Sequence, residues 1–296
     1  MTTPPTPQAP YQQQAPYQQQ VPAPPHSPSA APAGMYTSPI PVRRATLGDA
    51  IASEWTKIRS VRSTMWTLGV MIVLLLGIGL LAAVAVNSSG AGLDSTPVLS
   101  FGFFGVLLGS ICVITLGVMT IASEYGTGMI RTTLTACPSR ARVLSAKAIV
   151  FFLLTFVITT VTTALVAVLQ TAIIDSAPPS GGDWLRATVG VGLYIATLGL
   201  LSLAVGALIR HSAGAITIMI GVVLLPLVMA MFMFAESLSG LRMKLFEYSI
   251  PNQLSAFYST SVAESGPSGW DPLWIMLGVT AVALLGAFAA LDRRDV

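Results

Sequence analysis

Charge is what this sequence lacks most. Asp, Glu, Lys and Arg make up 9% of its 296 residues, against roughly 25% in an average soluble domain. That excludes an ordinary water-soluble enzyme. Cysteine is also scarce: two residues, Cys112 and Cys137, cannot build a disulfide scaffold or a cysteine zinc cage, and both read as incidental. There are two histidines, His26 and His211, and no His-Glu-x2-His, which argues against an intramembrane zinc protease. The sequence has no Gly-x4-Gly-Lys-Ser/Thr phosphate loop and no Gly-x-Ser-x-Gly nucleophile turn. A net charge of +3 is too weak to argue for nucleic acid. What remains is apolar surface. It accounts for 53% of residues at a mean hydropathy of +0.75, which predicts a polytopic membrane protein and excludes overall disorder.

The chain divides into three parts. Residues 1–45 form a Pro/Gln-rich tail. Up to Pro41 it holds 12 of the 20 prolines and no charged residue, and Ala-Pro-Tyr-Gln-Gln-Gln occurs twice in tandem from Ala9. Such a segment cannot bury enough apolar surface to offset its ordering entropy, so disorder is expected. Without a basic start or an apolar run it does not read as a signal peptide.

Residues 46–63 read as an amphipathic helix. Thr46 and Asp49 are spaced as a capping box. Leu47, Ile51, Trp55, Ile58, Val61 and Met65 fall on one face, while Asp49, Glu54, Lys57, Arg59 and Arg62 fall off it. A basic amphipathic helix just before a span is expected in the membrane interface, apolar face down.

Residues 64–296 carry six uncharged apolar runs, at about 65–86, 98–122, 148–174, 187–209, 213–235 and 273–291. Each meets the roughly 20 residues a helix needs to cross a hydrocarbon core, and inserted spans must be helical to satisfy their backbone groups. The fold class expected is therefore all-α, with six transmembrane helices. Gly77, Gly79, Gly102, Gly105, Gly109 and Gly117 invite close helix contacts. Pro226 is expected to kink the fifth span. Arg210, His211 and Ser212 leave a tight hairpin between the fourth and fifth. Twelve Lys and Arg fall on one side of this topology and three on the other, which predicts both termini in the cytoplasm.

The six runs contain no Asp, Glu, His, Lys or Arg, so ion-coupled transport is not expected. Energy for transport would arrive through a cytoplasmic surface. The largest cytoplasmic loop, 123–147, has Glu124 at the exit of the second span, Gly126 and Gly128 for a turn, a short helix over Met129–Ala136, and Pro138 to stop it. Two readings are open at this point. The loop docks into a groove on a partner, or its basic residues only obey the positive-inside rule.

Glu124-x3-Gly128 with Arg131, Leu134, Pro138-Ser139-Arg140 and Lys147 resembles the loop after the second span of ABC-2-type ABC transporter permeases. The stretch from Ser53 to Ser63 is similar to the connecting helix before their first span, in the form common among actinobacterial exporter membrane subunits. The resemblance runs from Thr46 to the C-terminus and leaves out the tail. It implies a chain with no catalytic, cofactor or metal site of its own. The implied partners are a separate ABC ATPase that carries ATP and Mg, and a second permease subunit in a homodimer or heterodimer. It places Glu124, Gly128, Arg131 and Arg140 at the ATPase-coupling surface, and Glu54, Trp55, Lys57 and Arg59 on the connecting helix. It also implies re-entrant helices within 236–272, with Leu241, Leu245, Tyr248 and Ile250 dipping into the bilayer and Pro251 breaking the helix.

The threonines at 155, 159, 160, 162 and 163, with Gln170, suit helix packing better than a substrate site. Met219, Met229, Met231 and Met233 suit an adaptable apolar surface. An uncharged pathway favours hydrophobic or amphiphilic cargo exported across the cytoplasmic membrane. The alternative is a six-span scaffold without transport activity.

Overall fold

The computed structural model describes residues 45–89, 96–260 and 265–293. The tail expected to be disordered lies outside them. Among the described residues every element is helical and none is a strand. Eleven α-helices follow in order: α1 (Leu47–Ser60), α2 (Arg62–Ser89), α3 (Phe103–Thr127), α4 (Met129–Ala136), α5 (Arg140–Ile173), α6 (Gly181–Leu185), α7 (Val191–Ile209), α8 (Ser212–Phe232), α9 (Ser239–Glu247), α10 (Ile250–Ala256) and α11 (Asp271–Arg293). Tighter 3-10 stretches lead into α3 and α9, and a wider π stretch joins α6 to α7.

Six of these stretches are long and apolar enough to cross a membrane: Arg62–Ser89, Val98–Thr127, Arg140–Ile173, Gly181–Ile209, Ser212–Phe232 and Asp271–Arg293. They match the six predicted runs in number and order, so the protein is an all-α multi-pass membrane protein. The fourth span is central. Its apolar window is 72% buried, against 22% for α2, α8 and α11.

Close packing around the centre depends on missing side chains. At Gly117 a β-carbon would stand 2.5 Å from the Gly199 carbonyl oxygen, and at Gly105 one would stand 3.0 Å from the Leu75 carbonyl oxygen. Backbones therefore touch where α3 crosses α7 and α2, as small residues permit. Gly77 differs from the expectation: nothing lies within 4 Å of its β position. Gly79, two residues on, faces Val166 and Gln170 instead. Two residues turn a helix by roughly 200° at 3.6 residues per turn, so the two glycines cannot share a face.

The hairpin after α7 forms as expected. Arg210 takes a left-handed conformation (φ 58°) and ends α7. The His211 imidazole then accepts from the Gly214 amide at 3.0 Å and starts α8. Pro226 lies inside α8, which continues to Phe232.

The segment between α8 and α11 departs from the sequence reading at Pro251. The chain breaks at Tyr248–Ser249, and Pro251 sits in the first turn of α10. A residue without an amide hydrogen suits that turn, where the amide would have no helical partner. All seven residues of α10 are buried. The Tyr194 hydroxyl lies 3.4 Å from Gln253 Oε1, and Phe257 packs 5.5 Å from the Tyr194 ring.

Candidate functional site

The chemistry of the described residues concentrates where α1, the end of α3, α4 and the start of α5 meet. Local sequence builds each piece. Thr46 and Asp49 close the capping box of α1: the Thr46 amide donates to Asp49 Oδ2 at 2.8 Å, and the Asp49 amide donates to Thr46 Oγ1 at 3.3 Å. Gly128 ends α3 and begins α4 at φ 73°. Its β position is open, so the backbone conformation, not space, demands glycine there. Gly126, also expected to turn, stays helical inside α3. Ser139 caps α5 by accepting from the Arg142 amide.

These pieces bring two carboxylates and two ammonium groups into a closed ring. Lys147 Nζ lies 2.6 Å from Glu124 Oε1 and 2.9 Å from Glu54 Oε2. Lys57 Nζ lies 2.8 Å from Glu54 Oε1 and 2.9 Å from Glu124 Oε1. Lys147 also donates to the Thr120 carbonyl at 3.3 Å, and Lys57 to Thr133 Oγ1 at 3.4 Å. The Thr133 hydroxyl in turn reaches Glu124 Oε2. The ring thus links α1, α3, α4 and α5 through side chains.

Its formal charge is zero, and it is deeply buried. Glu54 is 5% exposed, and the Lys147 side chain is not exposed at all. Isolated charges there would be costly, so each carboxylate must face both ammonium groups. Lys57, on the open side, shows the balance. Burial works against its charge, but hydrogen bonds and attraction from Glu124 and Glu54 prevail and hold its pKa above the usual lysine value.

One sequence expectation changes here. Glu54 and Lys57, which fall off the apolar stripe of α1, point into the protein. The apolar residues Leu47, Trp55 and Val61 are exposed, and from the stripe within α1 only Ile58 is buried. The helix is pinned through its charged side because partners of opposite sign wait on α3 and α5. Glu124 stands where the sequence put it, in the last turn of α3 at the exit of the second span, and Lys147 lies two turns into α5.

The remaining predicted residues separate. Arg131 is exposed on α4, and Arg59 is exposed on α1. Arg140 turns away from the ring and donates to the Leu291 carbonyl at 2.5 Å, joining α5 to the end of α11. Arg142 reaches the Ala45 carbonyl at 2.6 Å. The start of α1 and the end of α11 therefore lie at the same end of the bundle as α4. Sequence reasoning counted Lys147 among the cytoplasmic cations and within the resemblance, and did not single out Thr133. The available signal for Lys147 was its position directly before a long uncharged run. Thr133 carried none.

Open space flanks the ring. A cavity of about 300 Å³ between α1 and α4 is bordered by Asp49, Ser53, Thr132 and Cys137. Another of about 210 Å³ lies between the α1–α2 junction and α3 and α5. A third, of about 470 Å³, opens at the opposite end beside Pro97, Pro178, Asp183 and Tyr258. Among the described residues no three His, Cys, Asp or Glu side chains are placed to hold a metal ion. The buried threonines of α5 pack against neighbouring helices, and Gln170 donates to the Gly79 carbonyl at 3.2 Å.

Comparison with known families accords with this architecture. No curated protein matches the chain. The family described as ABC-2 family transporter protein matches residues 80–296, most of the chain and five of its six spans in full. Its match begins within α2 and so leaves out α1. With that match and six spanning helices, the chain belongs to the ABC-2 family of transporter proteins, as the membrane-spanning permease component of an ABC transporter.

Proposed function

We propose that this permease exports a hydrophobic or amphiphilic substrate across the cytoplasmic membrane, driven by ATP hydrolysed on a separate ABC ATPase subunit that contacts α4 and α1. The observation that carries this reading is the buried charge ring. It ties the short α4 and the surface helix α1 to the ends of the second and third spans. A partner that displaces α4 acts on Glu124 through Thr133, and Glu124 acts on both lysines. Motion then reaches α1 through Glu54 and Lys57, and the third span through Lys147.

Roles follow from exposure. Met129, Arg131, Thr132 and Thr135 on α4 are exposed and free to meet a partner. Glu124 transmits, and Gly128 sets the angle of α4. Arg140 ties the coupling corner to α11. ATP and Mg belong to the ATPase, since this chain has no phosphate loop. Energy transfer requires that the ATPase bind the permease conformations with different affinity in its nucleotide states. Two permease subunits form the pathway, with both termini in the cytoplasm. The six apolar runs, which carry no Asp, Glu, His, Lys or Arg, support an apolar or amphiphilic cargo.

The test is co-purification in detergent followed by an ATPase assay. Wild type is compared with Arg131→Glu, which inverts an exposed charge, and with Glu124→Gln, which removes a buried one. Arg131→Glu is expected to lose the ATPase. Glu124→Gln is expected to retain it while transport falls further than ATP turnover. If crosslinking captures no ATPase on wild type, energised export is wrong and the scaffold reading takes its place.

A further inference from the structure

The charge ring ties α1 and α4 to the ends of the second and third spans, but none of its side chains belongs to the central fourth span. The residue next to Glu124 makes that connection. Neighbouring residues on a helix point about 100° apart, so Glu124 faces the ring while Tyr125 faces the hairpin between α7 and α8. The Arg210 guanidinium carbon lies 4.8 Å from the centre of the Tyr125 ring, within the range where a cation is attracted to an aromatic face. Tyr125 is itself packed, partly buried, against the hydrophobic core.

Turn geometry alone does not call for arginine at this position. Arg210 ends α7 at φ 58°, a left-handed conformation that glycine adopts freely and other residues resist. Among the described residues Ser259 is the only other non-glycine with a positive φ. A side chain kept at such a strained position points to a task for that side chain.

The location suits a joint. The glycine contacts between α3 and α7 end at Gly206, whose β position lies 3.1 Å from the Val118 carbonyl oxygen. Glu124 and Tyr125 stand nearly two turns beyond Val118 on α3. Arg210 stands one turn beyond Gly206, and its amide donates to the Gly206 carbonyl at 2.9 Å. His211, the next residue, caps α8. A force on the Arg210 side chain therefore acts on the junction of both helices.

We propose that Arg210 is a positioning residue for energy coupling: its contact with Tyr125 carries displacement of the Glu124 end of α3 to the central span and to α8. Its part in transport rests on the coupling role proposed above, whereas the contact itself is testable on the permease alone. Thr133 and the ring move Glu124, Tyr125 moves with it, and the cation follows the aromatic face. Packed, contiguous contacts of this kind are the physical means by which distant sites couple.

The experiment is hydrogen exchange with mass spectrometry on the full chain in detergent, read over residues 206–216. Arg210→Gly and Tyr125→Leu are each expected to raise exchange there about tenfold, the order of a partly desolvated cation–aromatic contact, while α1 stays protected. Tyr125→Phe keeps the aromatic face and Arg210→Lys keeps the charge, so both should match wild type. Arg210→Gly separates the two roles. A residue that only ends a helix would exchange no faster as glycine, which suits the turn better. Coupling is read with Lys147→Met, which breaks the ring. It should raise hairpin exchange in the otherwise unaltered chain and add nothing in the Tyr125→Leu chain. Unchanged exchange in Arg210→Gly overturns the proposal. So does a hairpin that ignores Lys147→Met, or one that responds to it equally in both chains. Failure to capture an ATPase would overturn the coupling reading alone, and the exchange results would still decide the contact.

Discussion

The α3–α7 crossing and the α1–α4 corner are held together by opposite means. At the crossing there are no charges. Gly117 and Gly199 bring backbones into contact, and Val113, Phe151 and Leu203 fill the surroundings. At the corner four charged side chains hold the helices, with cavities of about 210 and 300 Å³ on either side. Backbone contact has a short range and one good geometry, so it makes the spans a rigid block. Ion pairs between longer side chains keep their attraction over small displacements, and adjacent space permits such displacements. The difference separates a part suited to move as a body from a part suited to be pushed.

Four changes break or sharpen that contrast. The largest effect is expected from Lys147→Met, which strands two buried carboxylates beside a single half-buried lysine. Removing one partner from a buried pair costs about 3–5 kcal/mol. Limited proteolysis should then cut α1 early, and thermal stability in detergent should fall. An intact, protected α1 would mean the ring does not hold it.

Next comes Gly117→Val, which places a side chain against the Gly199 carbonyl. Overpacking of this kind costs about 1–3 kcal/mol. Here the thermal midpoint should drop while α1 stays protected. Gly77→Val is the matching control: with nothing within 4 Å of its β position, it should leave the midpoint unchanged.

A smaller loss is expected from Lys57→Met, because Lys57 is half-buried and Lys147 still bridges both carboxylates. A cost of about 1 kcal/mol is the right order for a partly exposed pair. A double-mutant cycle between Glu54 and Lys147 should then give a larger coupling energy than one between Glu54 and Lys57.

The smallest effect is that of pH. The pKa of Lys57 is higher in the folded chain than the ordinary lysine value. Its stabilising contribution is therefore complete below the unfolded value of about 10.4 and is lost only as pH rises through the higher folded value. Hydrogen exchange of α1 should be protected equally at neutral and mildly alkaline pH, and protection should fall only in strong alkali. Loss of protection at neutral pH would place another titrating group in control.

Much of this was readable from the sequence, for local reasons. Hydropathy runs located all six spans, because a helix in a bilayer must bury its own backbone groups whatever its neighbours are. The α1 capping box, the short helix at Met129–Ala136 and the turn at Gly128 each depend on residues within a few positions of one another. The partial failures have one cause. Glu54 lies off an apolar stripe, and helical periodicity then assigns it to water. The sequence cannot show that Lys147 and Glu124, 93 and 70 positions along in numbering terms from it and in register with each other, wait on the other side. Lys147 at the edge of an apolar run reads the same whether it reaches out to the surface or pairs inside. Gly77 and Gly79 likewise look equivalent until a neighbouring helix selects one face.

The sequence by itself determined that this is a six-span helical membrane protein with a capped surface helix and a short loop helix after the second span. Those properties follow from backbone satisfaction and local capping. Only the tertiary structure decided which side of α1 turns inward, which glycines touch, that α10 is buried, and that four charges scattered over the sequence close into one neutral ring. Each of those depends on which helix faces meet, and charges of opposite sign can offset their desolvation only once packing brings them within hydrogen-bond distance.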